Sequence, residues 1–189
     1  MERIVVGISG ASGVQYGVRL LEVLKARDDI ETHLVMTRSA EVILQHETDL
    51  TPETVHSLAD RVYDCADVGA ALASGSFLCR GMAIVPCSMK TLAMIALSLS
   101  DNLLVRAADV ALKERRRLVL VPRETPLNLS HIRHMETVTQ MGGVILPPMP
   151  SFYHRPATIR DIVDQTVGKV LDQLRIEHDL YRRWDPDQG

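Results

Sequence analysis

The feature that most constrains this chain is the alternation of short, almost wholly apolar runs with longer stretches of helical period. The strand candidates are Ile4–Ile8, Thr32–Met36, Met82–Val85, Leu118–Val121 and Val144–Leu146, with Arg61–Tyr63 a weaker sixth. A strand wetted on one side alternates apolar with polar residues. Strands that read apolar throughout therefore belong to a parallel sheet covered on both faces. Between them, Val14–Lys25 puts Val14, Val18, Leu21 and Leu24 on one helical stripe, and Ser39–His46 reads as a helix with Ser39 as its N-cap. Asn102–Arg116 is a further helix. The clearest stripe follows Thr158, which with Asp161 forms a capping pair, and runs through Ile159, Ile162, Val163, Val167, Val170, Leu171 and Leu174. The expectation is an α/β fold with helices on both faces of a parallel sheet.

Size and charge narrow this further. With 189 residues, 46% of them hydrophobic and 24% charged, the chain fills one sizeable core, and no repeat or linker cuts it, so 1–189 reads as a single domain. The tail, residues 176–189, is too polar for a core yet holds the one tryptophan, Trp184, and is expected to dock on a neighbouring subunit. The 21 Lys and Arg against 24 Asp and Glu leave a net charge of −3, which offers no general field for nucleic acid or anionic lipid. The opening apolar run is too short for a signal peptide and nothing is long enough to span a bilayer, so the chain reads as cytoplasmic. Cys65, Cys79 and Cys87 are odd in number and without CxxC spacing, which argues against disulfides and zinc and for reduced thiols.

In open parallel sheets ligands bind beyond the carboxyl ends of the strands. Those ends read Ser9-Gly10-Ala11-Ser12-Gly13, Thr37-Arg38-Ser39, Pro86-Cys87-Ser88-Met89-Lys90-Thr91, Pro122-Arg123-Glu124-Thr125-Pro126 and the proline-rich 147–153. Hydroxyls, small residues, cations and a carboxylate thus share one rim, which is expected to be a ligand site. The first loop allows close backbone approach and presents helix N-terminal N–H groups to an anion, or is simply a Gly/Ser turn. It is not GxGxxG, and Thr37 stands where a dinucleotide site needs an acid, so NAD is disfavoured; no Walker A sequence is present. Ser88, Lys90 and Thr91 open a helix in a way that suits an oxyanion or merely caps it. Arg106 and Lys113, seven residues apart, lie on one helix face, and Asp109 between them equally suits an ion-pair ladder. Glu124, between Arg123 and an expected helix start at Thr125-Pro126, is either a proton shuttle on a half-buried rim or a structural salt bridge. His131 and His134 lack a third metal ligand.

Taken together, Gly10-Ala11-Ser12-Gly13, Pro86-Cys87-Ser88-Met89-Lys90-Thr91, Leu112-Lys113-Glu114-Arg115-Arg116, Val121-Pro122-Arg123-Glu124-Thr125-Pro126 and Phe152-Tyr153 resemble the UbiX/Pad flavin prenyltransferase family, from Ile4 to about Leu174. The resemblance implies a flavodoxin-like or Rossmann-like homododecamer that binds FMN. It implies alkylation of FMN by dimethylallyl monophosphate, giving prenylated FMN for a UbiD-type decarboxylase, with no metal. By motif it places FMN on Gly10, Ala11, Ser12, Thr37, Ser88, Met89, Lys90, Thr91 and Arg123. It places the prenyl phosphate on Tyr153 and Lys169 with Arg106 and Lys113 close by, and sets these last two apart from the ladder. Ser12, Glu47 and Glu124 match the catalytic positions, and Trp184 matches a tail aromatic. Many members carry arginine where this chain has Lys169, which keeps the charge and loses the bidentate fork. The competing readings are a flavin-dependent decarboxylase of aromatic acids or of cysteine peptides, and a non-catalytic FMN carrier. The cysteine-peptide family relies on Pro-Ala-Ser-Ala-Asn-Thr where this chain has Pro-Cys-Ser-Met-Lys-Thr.

Overall fold

A computed structural model describes residues 1–185. In chain order the elements are β1 (Glu2–Ile8), α1 (Val14–Lys25), β2 (Ile30–Met36), α2 (Arg38–Glu47), α3 (Pro52–His56), β3 (Arg61–Tyr63), β4 (Gly81–Cys87), α4 (Met89–Ala96), α5 (Leu103–Lys113), β5 (Arg117–Pro122), α6 (Leu129–Gln140), β6 (Val144–Ile145) and α7 (Ile159–Leu174). The six strands form one sheet in the order β3-β2-β1-β4-β5-β6, and every pairing is parallel. This is the expected α/β class, and the order is that of a doubly wound dinucleotide-type sheet, which reverses direction between β1 and β4.

The pleat divides the core in two. Ile4, Val6 and Ile8 of β1, with Ala83 and Val85 of β4, face α1 and α7, whereas Val5, Met82 and Ile84 face α4 and α5. Successive strand residues point to opposite faces, so a strand apolar at every position feeds both layers. In α7, Val167, Val170 and Leu171 are fully buried, each stabilising the fold by about 1.5–3 kcal/mol. Its Thr158–Asp161 capping box forms as expected. Ile159, expected on the buried stripe, is instead 75% exposed, since as the first residue of α7 it borders an open groove with Val18 and Leu50 rather than the sheet. On the other side of the same layer α1 comes so close to β4 that a Cβ on Gly17 would overlap the Val85 carbonyl oxygen.

Three boundaries differ from the sequence reading. Thr37, not Ser39, caps α2: its extended backbone at the end of β2 lets Oγ1 accept from the Ala40 N–H at 3.2 Å. No helix begins at Thr125-Pro126; α6 begins at Leu129, where Asn128 and His131 form a reciprocal capping box. Helix α5 ends at Lys113, because Arg115 turns left-handed at φ 56°.

Candidate functional site

The strand order reverses between β1 and β4, and the crevice at their carboxyl ends is where this architecture binds ligands. The two loops there are stitched together: Ser9 Oγ donates to the Pro86 carbonyl at 3.1 Å and accepts from the Ser88 N–H at 2.8 Å. Ser88 then caps α4, accepting from the Thr91 N–H at 3.2 Å. The Arg123 N–H donates to the Cys87 carbonyl at 3.2 Å and so fixes the loop after β5 to the same edge. Gly10 is pressed against Ser39, where no side chain fits. The loops that follow β1, β4 and β5 are therefore tied into one rim, as the rule about strand ends led us to expect.

Within it Ser12, Glu47 and Arg123 line a single cavity of about 330 Å³ with Gln15, Tyr16 and Pro148. Glu47, at the end of α2, reaches back to α1: its Oε2 accepts from the N–H groups of Gly13 at 2.8 Å and Val14 at 3.2 Å. The first turn of α1, which the sequence offered to a ligand anion, is thus already occupied by a carboxylate of the chain itself. The N-terminal partial positive charge of α1 favours that carboxylate. Tyr16 was not singled out from sequence, although its place one turn into α1 puts it on the rim. Burial pushes its phenol up, against the opposing pull of Thr166 and Arg123.

The remaining candidates do not line that cavity. Glu124 is exposed rather than half-buried, accepts from the Thr125 N–H at 3.0 Å and makes no ion pair with Arg123, so the salt-bridge alternative does not form. Half of the ladder on α5 exists: Arg106 pairs with Asp109 at 2.9 Å and also donates to the Ala73 carbonyl at 3.1 Å. Lys113 pairs with Glu114 instead. Helix α5 runs away from the carboxyl edge, so Lys113 lies toward the opposite pole and is not gathered to the cavity within one chain. Tyr153 and Lys169 share a different patch, under the tail, where Tyr153 packs edge-on to Trp184 at 5.8 Å and Lys169 Nζ sits 5.9 Å above the Tyr181 ring. His154, next to Tyr153, buries an Nε2 that has no hydrogen-bond partner among the described residues.

One carboxylate gathers three side chains of the tail. Asp172 on α7 accepts from Tyr181 Oη at 2.8 Å, His178 Nε2 at 3.1 Å and Arg183 at 2.6 Å. The Tyr181 ring lies so close to Gly168 that a Cβ there would come within 2.6 Å of it. Described residues of the tail thus fold onto their own α7 and leave Trp184 70% exposed; residues 186–189 lie outside the described residues. Burial pushes the Asp172 carboxyl up, but the bonds from Arg183, Tyr181 and His178 outweigh it and hold it at about 2 against an ordinary 3.8. The folded value lies below the unfolded one, so this stabilisation is complete above pH of about 4 and fades as the pH falls toward 2. Trp184 is the single tryptophan and reports on the tail directly. Its fluorescence is expected to change through that acid window in the native chain, and in Asp172→Asn to show the released signal already at neutral pH.

The donor set suits a phosphate ester, such as that of FMN. The first N–H groups of α2 and α4 have no intrahelical acceptors, Thr37 and Ser88 add hydroxyls beside them, and the adjoining cavity carries the Arg123 guanidinium. Among the described residues no group of three or more His, Cys, Asp or Glu side chains converges on a metal position, and His131 is engaged in the α6 cap. Cys65, Cys79 and Cys87 are free thiols. Burial pushes that of Cys87 far up, so it is not a nucleophile of this site.

The family described as Flavoprotein matches residues 1–171. The Flavin prenyltransferase UbiX of Escherichia coli K12 is 55% identical over 186 residues, 97% of this chain and 98% of its own. The crystal structure of a dodecameric FMN-dependent UbiX-like decarboxylase from Escherichia coli O157:H7 superposes with a TM-score of 0.95 at 47% identity, covering 97% of this chain and 99% of that one. The crystal structure of AnUbiX (PadA1) in complex with FMN and dimethylallyl pyrophosphate gives 0.95 at 49% identity, covering 97% of each.

Proposed function

The chain belongs to the UbiX flavin prenyltransferase family, and on that premise we propose that it transfers a dimethylallyl group from dimethylallyl phosphate to reduced FMN, producing prenylated FMN. The observation that carries this reading is 55% identity along 97% of the chain to a curated flavin prenyltransferase. When bound, reduced FMN supplies the electron-rich surface that accepts the five-carbon fragment. Gly10, Ala11, Ser12, Thr37, Ser88, Met89, Lys90, Thr91 and Arg123 would hold it at the carboxyl edge of the sheet.

The chain's own residues account for the rest. Cleaving an allylic C–O bond leaves negative charge on the departing phosphate, and cations fixed at that place lower the barrier. Tyr153 and Lys169 supply a phenol and an ammonium on one patch, held by the Asp172-anchored tail. Lys here grips as a point charge rather than a fork. Arg106 and Lys113 complete the phosphate grip from a neighbouring subunit, since their own chain keeps Lys113 away from its cavity; a homo-oligomer, dodecameric by likeness, follows. The outer part of the tail docks on such a neighbour too, through the exposed Trp184. Glu124 would take up the proton displaced as the five-carbon fragment bonds to the flavin. Ser12 and Glu47 support it, Glu47 chiefly by fixing the Gly13–Val14 turn. No metal is required, because guanidinium, ammonium and phenol replace a cation clamp at a monophosphate. The product goes to a UbiD-type decarboxylase in the cytoplasm.

The test is anaerobic incubation of the whole chain with reduced FMN and dimethylallyl phosphate, followed by mass spectrometry of the flavin. A gain of one prenyl unit is expected. An unchanged flavin would overturn the proposal and leave the carrier, and release of carbon dioxide from an aromatic acid or a cysteine peptide by the chain alone would replace it with a decarboxylase.

A further inference from the structure

At the pole opposite the flavin rim, the amino ends of β1, β4 and β5 meet the carboxyl ends of α5 and α7 around a cleft of about 450 Å³. It is lined by Arg80, Arg115, Arg116, Arg117 and Arg175 against one carboxylate, Glu2. Five positive charges less one leave +4 in this cleft, on a chain whose net charge is −3.

Two of these arginines have structural work. Arg80 pairs with Glu2 and donates to the Arg175 carbonyl at 2.6 Å, and Arg116 donates to the Phe77 and Gly75 carbonyls, each at 2.6 Å. The side chains of Arg115, Arg117 and Arg175 make no hydrogen bond or ion pair among the described residues. Cations favour helix carboxyl ends, but that does not explain the surplus. Both helix ends are closed by their own backbone, Arg116 N–H to Ala111 and Ile176 N–H to Leu171, at 2.8 and 2.9 Å. Moreover Arg115 and Arg175 both sit in the left-handed region, at φ 56° and 59°, where Gly or Asn is the unstrained choice. Long cations are kept there at the expense of backbone ease.

We propose that this cleft binds a small anion carrying two or more phosphates. Three unpaired guanidinium forks match several phosphate oxygens at once, since each fork engages phosphate through two parallel N–H bonds. Three forks with two N–H groups each match the six terminal oxygens of a diphosphate one to one, whereas a single phosphate would have to share its four. The cleft volume falls in the range of small-molecule sites. The same diphosphate chemistry comes from inorganic pyrophosphate or from the end of a nucleotide. The site lies on the far edge of the sheet, at the pole to which α5 also carries Lys113, and none of its arginines is among the residues assigned to the flavin or the prenyl phosphate.

The test is calorimetric titration of the whole chain with inorganic pyrophosphate, ADP and inorganic phosphate at low and moderate salt. Saturable pyrophosphate binding is expected, weakening with salt, with inorganic phosphate at least roughly tenfold weaker. Asn tolerates the left-handed backbone, so Arg115→Asn/Arg175→Asn removes charge without strain and is expected to weaken pyrophosphate by roughly tenfold or more. Arg117→Gln is expected to act in the same direction, and FMN binding to stay unchanged in both. ADP binding as tightly as pyrophosphate assigns the nucleotide; pyrophosphate binding alone assigns the inorganic ion. Candidate phosphate-gripping residues elsewhere also attract pyrophosphate, so the deciding quantity is the binding lost in these variants. Native-like pyrophosphate affinity in both variants, or no saturable binding to the native chain, would refute the site.

Discussion

Glu124→Gln is expected to keep its flavin and to lose turnover by about 10²–10⁴-fold, the usual worth of a positioned proton-transfer group. Glutamine preserves the volume and the acceptor that the Thr125 N–H uses, so the loop after β5 stays in place, still tied to Cys87 through the Arg123 N–H. What is lost is the capacity to take and return a proton. Single-turnover measurements beside a flavin-binding titration separate the two effects. Full turnover in Glu124→Gln would remove this residue from the reaction, whereas loss of flavin would make it a binding group.

Gly17→Ala is expected to destabilise the chain by about 3 kcal/mol or more. In an exposed helix the same change stabilises by about 1 kcal/mol, because alanine is the better helix former, so the sign itself is diagnostic. The cause is the contact of α1 with β4. The new methyl would overlap the Val85 carbonyl oxygen and come within 3.0 Å of Ile8 Cδ1. Backbone of a central strand cannot step aside as a flexible side chain does. For a domain of this size each kcal/mol lowers the melting temperature by about 2–4 °C, so a fall of roughly 6–12 °C is expected in a thermal melt. Gly69→Ala, whose methyl would meet only Asp67 Oδ1 at an ordinary 3.4 Å, is the control and should melt like the native chain.

Much of this architecture was legible because its signals are local. Two-sided apolar runs named five of the strands, whereas the three-residue β3, largely exposed at the sheet edge, gave only the weaker sixth candidate, and Thr158 with Asp161 marked the start of α7. What was missed depends on competition between neighbours or on distance along the chain. Thr37 and Ser39 are both good caps, and only the exit angle of β2 chooses Thr37. Helix α3 carries a readable start in Thr51-Pro52 but is only five residues long. Asp109 was correctly spaced for Arg106, yet Lys113 took the adjacent Glu114 instead. On the rim, the grouping of the motifs followed from the rule about strand ends, and it placed Ser12 and Arg123 in one cavity. The seating of Glu47 on α1 spans 34 positions, and no periodicity carries such information. Nor does a single sequence reveal that Lys113 points to the far pole.

That seating of Glu47 bears on any effort to retool the scaffold. Dinucleotide-binding relatives of this sheet order leave the first helix open for a pyrophosphate bridge, whereas here a tethered side chain fills the berth through the Gly13 and Val14 amides. A longer nucleotide would have to evict it. A redesign toward hydride-carrying cofactors would therefore begin by vacating that position.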